Sequence, residues 1–197
     1  MILTTATDLI AKKGYEGVRV DEIAKEAGVN KAAIYYHIGN KQALYKMVLT
    51  NVFIEIADKT EENANRDADP VAKIKGHINV IAATASSSKQ FAPIWLREVA
   101  DGGKNMPEEV VAQLKRILGN LSKILEEGKQ KALFTNANLF VVHMMIVGGI
   151  VLTATSEPIR RKIAHQSGGA SSPLLIPMER TISELTEMIV KSLRAGN

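Results

Sequence analysis

The sequence predicts an all-α protein, with a small three-helix head joined by a long helix to a larger helical body. Apolar residues recur at the three- and four-residue spacing of helices along nearly the whole chain. No segment shows the sustained alternation of apolar and polar residues that is typical of a half-buried strand. With 197 residues, 46% of them apolar, the chain is long enough to bury a sizeable core.

The first two helices of the head are short and amphipathic. The first begins near Ile2 and ends at Gly14. The second covers about residues 20–27 and turns Ile23 and Ala24 inward. The sequence Ala-Gly-Val follows at positions 27–29, and glycine at the middle position is typical of a tight corner between two helices.

Asparagines mark the starts of the next two helices. Asn30 is a suitable N-cap for a third helix over residues 31–38, in which Ile34 faces inward. After a glycine, Asn40 can cap a long fourth helix that reaches about Glu62. The second and third helices together predict a helix-turn-helix over about residues 20–38.

Helices are also predicted for the body. The charged stretch 59–69, followed by Pro70, predicts the end of the fourth helix. Segments rich in glycine, serine and proline near 101–107 and 166–177 separate later elements. The predicted body helices cover about residues 70–88, 90–100, 107–132, 136–156 and 177–195.

Composition argues against several classes of function. The chain has no cysteine, so it lacks disulfides, thiolate metal sites and cysteine nucleophiles. The histidines at 37, 77, 143 and 165 show no metal-ligand spacing, and no nucleophile lies beside a base. We therefore predict no enzymatic activity, no metal and no cofactor.

The chain is also predicted to be cytoplasmic. Its N-terminal residues show no signal-peptide pattern. The longest apolar run, residues 139–152, is shorter than the roughly 20 residues that a membrane span needs and contains His143. No membrane partner is expected.

Charge alone gives little support for a nucleic-acid partner. The net charge is +4, and residues 1–50 contribute seven basic and five acidic side chains, 7 − 5 = +2. The remaining residues contribute 18 − 16 = +2, so the head is no more positive in net charge than the body. Any case for DNA binding must depend on where individual charges are placed.

The third helix has side chains that suit a DNA groove. Lys31 in its first turn can reach a guanine edge or a phosphate, and the alanines that follow allow close approach. Tyrosine hydroxyls and an imidazole can donate to phosphates. Tyrosines in a helix more often pack than bind, so one of Tyr35 and Tyr36 is expected to lie against the core.

The order and spacing of these residues resemble the N-terminal domain of the TetR family of bacterial transcriptional regulators. The resemblance covers about residues 2–50 and rests on Gly14-Tyr15, Val20-x-x-Ile23-Ala24, Ala27-Gly28-Val29, Ile34-Tyr35-Tyr36-His37-Ile38, Asn40-Lys41 and Leu44. It implies base-reading positions at Lys31, Ala32 and Ala33 and backbone or groove contacts at Tyr35, Tyr36, His37 and Lys41. Asn30 belongs to the same expected DNA-binding set. Arg19 stands where the family often has a capping Ser or Thr, and is expected to contact a phosphate.

The resemblance further implies a DNA-binding domain over residues 1–46 and an effector-binding and dimerisation domain over 47–197. A homodimer is expected through the helices at about 136–156 and 177–195. The segment 136–156 is apolar on nearly every side, as a helix between its own core and a partner would be; a core helix in a monomer is the alternative. The effector-binding candidates, which are the aromatic, methionine and neighbouring residues of two body helices, are Phe91, Ile94, Trp95, Phe140, His143, Met144 and Met145.

The function that these features predict is a ligand-responsive transcriptional regulator. We expect a repressor that binds a palindromic double-stranded DNA operator as a homodimer and is released by a small apolar or amphipathic effector. The alternatives are an activator of the same family and a helical ligand-binding protein without operator binding.

Overall fold

The computed structural model describes residues 1–167 and 172–195, and within them it contains ten helices and no β-strand. The all-α fold is therefore confirmed. The helices are α1 (Ile2–Gly17), α2 (Val20–Glu26), α3 (Lys31–His37), α4 (Lys41–Asn65), α5 (Pro70–Ser87), α6 (Phe91–Ala100), α7 (Glu108–Gln130), α8 (Leu139–Thr155), α9 (Glu157–Ser167) and α10 (Met178–Leu193).

Helices α1 to α3 pack around a small apolar centre that the N-terminal end of α4 completes. Ile23 and Ile34 are fully buried there, and Leu9 and Leu44 are nearly so. The regular part of α1 breaks at Gly14, as the sequence predicts, and one further turn extends to Gly17. The head is thus a compact unit in which only one side of α3 packs against the other helices.

The turn between α2 and α3 depends on Gly28. Its φ of 66° lies in the left-handed region, where a side chain would be strained. The predicted caps on either side of α3 are also confirmed. The side chains of Asn30 and Asn40 each accept a 2.8 Å hydrogen bond, from the backbone N–H of Ala32 and of Ala43.

Helix α4 is longer than the sequence predicts, because the charged stretch 59–69 does not end it until after Asn65. Its charged side chains lie outside and form ion pairs, such as those of Arg116 of α7 with Asp58 and Glu61. Its inner face continues as buried Thr60, and the helix stays in contact with α7. Charge in this segment therefore marks an exposed helix face.

The body is built from α4, α5, α7, α8 and α10, which pack against one another. Four of the predicted body helices match the observed ones to within two residues at each end, and the fifth, α8, begins at Leu139, three residues later than predicted. Buried apolar residues of the head and the body form one continuous cluster, so no gap in the core marks a boundary at residue 46. The division into two domains stays a prediction.

The prediction missed helix α9, because seven of its eleven residues are polar and its two isoleucines, Ile159 and Ile163, are exposed. Ala164 is its fully buried residue, and an ion pair of 2.6 Å between Arg161 and Glu157 supports its exposed side. Its last residues, 166–167, lie in a stretch that was predicted to break the helical pattern. The remainder of that stretch includes residues 168–171, which lie outside the described residues.

Helix α8 is apolar on both sides but buried on only one. Ile146 and Ile150 are fully buried, whereas Phe140 and Leu152 are 65% and 57% exposed. Gly149 permits the close approach of α10, since a Cβ atom there would lie 2.6 Å from the side chain of Leu185. The outward face of α8 is thus left uncovered by the described part of the chain.

No single helix among residues 1–167 and 172–195 is long and apolar enough to cross a membrane. Helices α8 and α9 together reach the required length and composition, but they are bent by 64° at the break between them.

Candidate DNA interface and ligand cavity

The solvent side of α3 carries an aromatic and basic cluster. Tyr35 and Tyr36 are 46% and 85% exposed, and the rings of Tyr36 and His37 meet edge to face at 4.9 Å. The expectation that one tyrosine packs in the core is wrong. Ile34 fills the inward position of this short helix, and the next two side chains are rotated away from it by the helical repeat.

Lys31 lies at the start of the same face and has two partners within the head. Its Nζ is 2.5 Å from Asp21 of α2 and 5.7 Å from the centre of the Tyr35 ring. The hydrogen bond to Asp21 raises the pKa of Lys31, so the ammonium group stays charged. Because this ion pair is exposed, water screens it and it holds Lys31 only weakly. Lys31 can therefore exchange Asp21 for a base edge or a phosphate.

We expect Lys31→Ala to reduce discrimination at one position of each half-site, with a loss of about tenfold in affinity for the preferred sequence. Selection of bound sequences from a random duplex library, carried out with the variant and with the parent protein, measures this effect. Lys25→Ala is the matched control, because it removes an exposed cation from α2. Unchanged selectivity in Lys31→Ala, or an equal change in both variants, would contradict a base-reading role.

The other predicted DNA-binding residues lie around this face in different settings. The Lys41 Nζ sits 4.3 Å from the centre of the Tyr15 ring and 3.5 Å from the Glu16 carbonyl oxygen, so it also holds the end of α1. Arg19 is exposed at the start of α2 and makes no capping hydrogen bond with its side chain. Ala32 is exposed and Ala33 half-buried. Asn30 uses its side-chain oxygen as the cap of α3, which leaves its amide hydrogens free to donate.

Helix α6 connects the head to the body through buried and exposed polar contacts. The buried Tyr45 of α4 donates a short hydrogen bond to the buried Glu98 of α6. Burial and this carboxylate raise the pKa of Tyr45. Arg97 donates to the Lys12 carbonyl oxygen at 3.0 Å. These contacts fix α6 against α1 and α4.

Sequence reasoning did not identify this connection. The available signal was one acidic residue, Glu98, in the otherwise apolar and basic sequence of α6. A buried carboxylate needs partners, and its Oε1 accepts from Tyr45 while its Oε2 has no partner among the described residues. The partner lies 53 positions away along the chain, a separation that no local pattern reveals.

An apolar cavity lies between α4, α5, α6, α7 and α8. Its volume is about 30 Å³, so it is a narrow cleft. It is lined by Phe53, Ile56, Ile81, Phe91, Trp95, Leu114, Ile117, His143 and Val147. The rings of Phe91 and Trp95, both on α6, lie 5.6 and 5.4 Å from the ring of Phe53.

The structure separates the seven predicted effector-binding residues into three groups. Phe91, Trp95 and His143 line the cavity, and Ile94 is buried without lining it. The other three, Phe140, Met144 and Met145, are 65%, 42% and 38% exposed on the outward face of α8. The grouping of all seven in one site is not seen, because the apolar sequence of α8 gives no sign of which side faces inward.

Two buried histidines lie near each other in the body, and one of them, His143, lines the cavity. His77 of α5 is fully buried, and neither of its ring nitrogens has a hydrogen-bond partner among the described residues. His143 is 8% exposed, and its Nδ1 likewise has no described partner. Burial, with a smaller contribution from His143, lowers the pKa of His77 to about 4; burial also lowers the pKa of His143. Both rings are therefore neutral at pH 7.

The head matches a known family. Residues 2–48 match the family model described as bacterial regulatory proteins, tetR family. The HTH-type transcriptional regulator RutR of Escherichia coli K12 is 27% identical over 124 residues, which are 63% of this chain and 58% of RutR. The chain thus spans less than two thirds of that relative.

Two further proteins resemble the chain in sequence or in fold. The biofilm operon icaADBC HTH-type negative transcriptional regulator IcaR of Staphylococcus epidermidis is 38% identical over 52 residues, 26% of this chain and 28% of IcaR. The crystal structure of the transcriptional regulator FadR from Bacillus subtilis in complex with stearoyl-CoA covers 98% of both chains with a TM-score of 0.72 at 22% identity. At that identity the likeness concerns the fold.

Proposed function

Because its N-terminal domain makes this chain a member of the tetR family of bacterial regulatory proteins, we propose that it is a ligand-responsive transcriptional repressor. It binds a palindromic operator as a homodimer and is released by a small apolar or amphipathic effector. The observation that carries the proposal is the exposed cluster of α3, in which Lys31, Tyr36 and His37 are exposed to solvent and do not pack in the core. A buried structural helix would not need such side chains.

The repressor role and the cellular setting are part of the same proposal. The description of IcaR as a negative regulator supports repression, and its match covers 26% of this chain. The relatives are regulators, so we propose no catalytic activity. A DNA-binding regulator works where the chromosome is, and we therefore propose a cytoplasmic location.

The outward face of α8 supports the homodimer. It presents Phe140, Val141, Met144, Met145 and Leu152, all at least 38% exposed. Exposed apolar patches of this kind are typical of protein interfaces. A twofold axis through this face relates the two heads, and the operator is then a palindrome with half-sites about one helical turn apart.

The cavity supports the effector, and α6 supplies a route to the head. Phe91 and Trp95 line the cavity from α6, while Arg97 and Glu98 of the same helix hold α1 and α4. The FadR neighbour was crystallised with stearoyl-CoA, an amphipathic molecule with a long acyl chain and a charged nucleotide part, which supports an amphipathic effector in this fold. A ligand that moves the aromatic rings of α6 shifts the contacts that position the head.

We expect operator binding to change the fluorescence of Trp95, because coupling between two sites is reciprocal. Trp95 is the only tryptophan of the chain and lines the cavity, so its emission reports on α6 without labelling. Tyr45→Phe, which removes the hydrogen bond to Glu98, should reduce this emission change by more than half while duplex binding persists. Titration of the protein with duplex DNA, monitored by tryptophan emission, tests this.

Tyr15→Phe is the matched control. It removes a hydroxyl group from the ring that contacts Tyr45 at 4.7 Å and leaves the Tyr45–Glu98 bond intact. The control should behave like the parent protein. A full emission response in Tyr45→Phe, or an equal loss in both variants, would contradict the role of this hydrogen bond in coupling.

Selection of bound sequences from a random duplex library with the purified chain tests the function as a whole. We expect enrichment of a palindromic motif and a dimer on that motif in sedimentation. Failure to enrich any sequence would contradict the regulator and favour a helical ligand-binding protein without operator binding.

A further inference from the structure

We propose that the cavity selects an uncharged, largely apolar ligand with one hydroxyl or carbonyl group, and that His143 hydrogen-bonds this group. The inference rests on the proposed effector site and deepens it by naming the class of ligand. It derives from three features of the cavity: its lining, the unpartnered Nδ1 atom of His143 and its lack of charge.

The lining includes one buried polar atom that lacks a hydrogen bond among the described residues, on His143. Of the nine lining residues, eight are aliphatic or aromatic, and His143 is the exception. Its Nδ1 is buried without a described hydrogen-bond partner. A buried polar atom without a partner has a free-energy cost, which a ligand removes by supplying the missing hydrogen bond. A purely apolar ligand would leave that cost in place.

His77 lies behind the lining, in the core. It is fully buried, His143 contributes to lowering its pKa, and neither of its ring nitrogens has a partner among the described residues. A neutral imidazole carries one donor and one acceptor. His143 can therefore donate to a carbonyl oxygen or accept from a hydroxyl group, with the tautomer set by the ligand.

The absence of charge around the cavity argues against a carboxylate ligand. No lysine, arginine, aspartate or glutamate is among the nine lining residues. Burial keeps both histidines neutral by lowering their pKa values. A carboxylate would thus be buried without a counter-ion, at a far higher cost than a hydroxyl or carbonyl group.

The narrowness of the cleft implies that the ligand displaces side chains as it enters. Only about 30 Å³ is open to the centre of a water molecule. The rings of Phe91 and Trp95 are packed against Phe53, and both belong to α6. A six-membered carbon ring must push these aromatic rings apart, and Trp95 then reports its arrival.

Three probes of similar carbon skeleton test the proposal: cyclohexanol, methylcyclohexane and cyclohexanecarboxylate. Each is titrated into the full-length protein at pH 7.5, and binding is measured by Trp95 emission and by the shift in melting temperature. We expect cyclohexanol to bind about tenfold more tightly than either other probe. Equal affinities, or tighter binding of the carboxylate, would overturn the proposal.

Two variants assign the selectivity to His143. In His143→Leu the preference for cyclohexanol over methylcyclohexane should fall below about threefold, whereas His143→Asn keeps a polar atom and should retain most of it. A preference that survives in His143→Leu would overturn the role of this residue. Binding of no probe by the parent protein would overturn the proposed ligand class.

The sequence selection described above separates this inference from the wider function. Enriched duplex binding without probe selectivity would support the proposed regulator and contradict the proposed ligand class. Probe selectivity without any duplex binding would contradict the proposed regulator and support the proposed ligand class.

Discussion

Met144→Glu should convert the dimer into a folded monomer and weaken operator binding at least about 100-fold. Met144 is 42% exposed near the middle of the outward face of α8, so the substitution leaves the core of the chain intact. In a dimer the new carboxylate would be buried among apolar side chains without a counter-ion, at a cost of several kcal/mol. Two linked heads bind a palindrome much more tightly than one, and that gain is lost in the monomer.

The middle of this face also contains Gly148, which supports the close approach of another helix. A Cβ atom added there would meet nothing within 4 Å in the described residues, unlike one added at the neighbouring Gly149, which meets Leu185 of α10. Glycine inside a helix has a cost of about 1 kcal/mol relative to alanine. At Gly149 close packing against α10 offsets that cost. At Gly148 close packing against a helix of the partner subunit would offset it.

Val111→Glu is the matched control for Met144→Glu. Val111 is 39% exposed on α7 and is not one of the residues that form the outward face of α8, and the substitution introduces the same charge. Sedimentation measures the oligomeric state of both variants, and titration with the selected duplex measures affinity. A dimeric Met144→Glu protein with unchanged affinity would contradict the proposed interface. Loss of the dimer in both variants would show that the effect of the added charge is not specific to the outward face of α8.

The sequence was sufficient for the parts of the fold that depend on local chemistry. The caps at Asn30 and Asn40 and the corner at Gly28 were predicted because a single side chain or a single φ value determines each. The inward position of Ile34 was predicted in the same way, whereas the exposure of both Tyr35 and Tyr36 was not. Those residues also carry the resemblance to the tetR family, so the head was the best predicted part.

The body was harder to predict because its decisive contacts join distant positions. In α8 every residue type is compatible with either side, so the sequence could not distinguish the cavity face with His143 from the outward face with Met144. The Tyr45–Glu98 hydrogen bond joins two helices far apart in the chain. Helix α9 escaped prediction because the apolar stripe that normally identifies a helix is nearly absent from it.

The buried His77 should make the stability of the protein strongly dependent on pH. Burial lowers its pKa from 6.5 to about 4, so the unfolded state takes up a proton first as the pH falls. The stabilisation is complete above about pH 6.5, is lost progressively as the pH falls towards 4, and changes no further below that value. The shift corresponds to about 3 kcal/mol in total, of which about 2 kcal/mol is lost between pH 7 and pH 5.

Between pH 7 and pH 5, we therefore expect the free energy of unfolding of His77→Leu to decrease by about 2 kcal/mol less than that of the parent protein. Carboxylates held by ion pairs, such as Glu127, also titrate below neutral pH, but they contribute equally in both proteins and cancel in the difference. Urea unfolding at fixed protein concentration measures the free energy of unfolding at each pH. A constant concentration is needed because dimer formation adds to apparent stability.

His165→Leu is the control. It replaces an exposed histidine on α9 and should retain the pH dependence of the parent. If the parent and His77→Leu lose the same free energy over this range, His77 is not a neutral histidine held in the core.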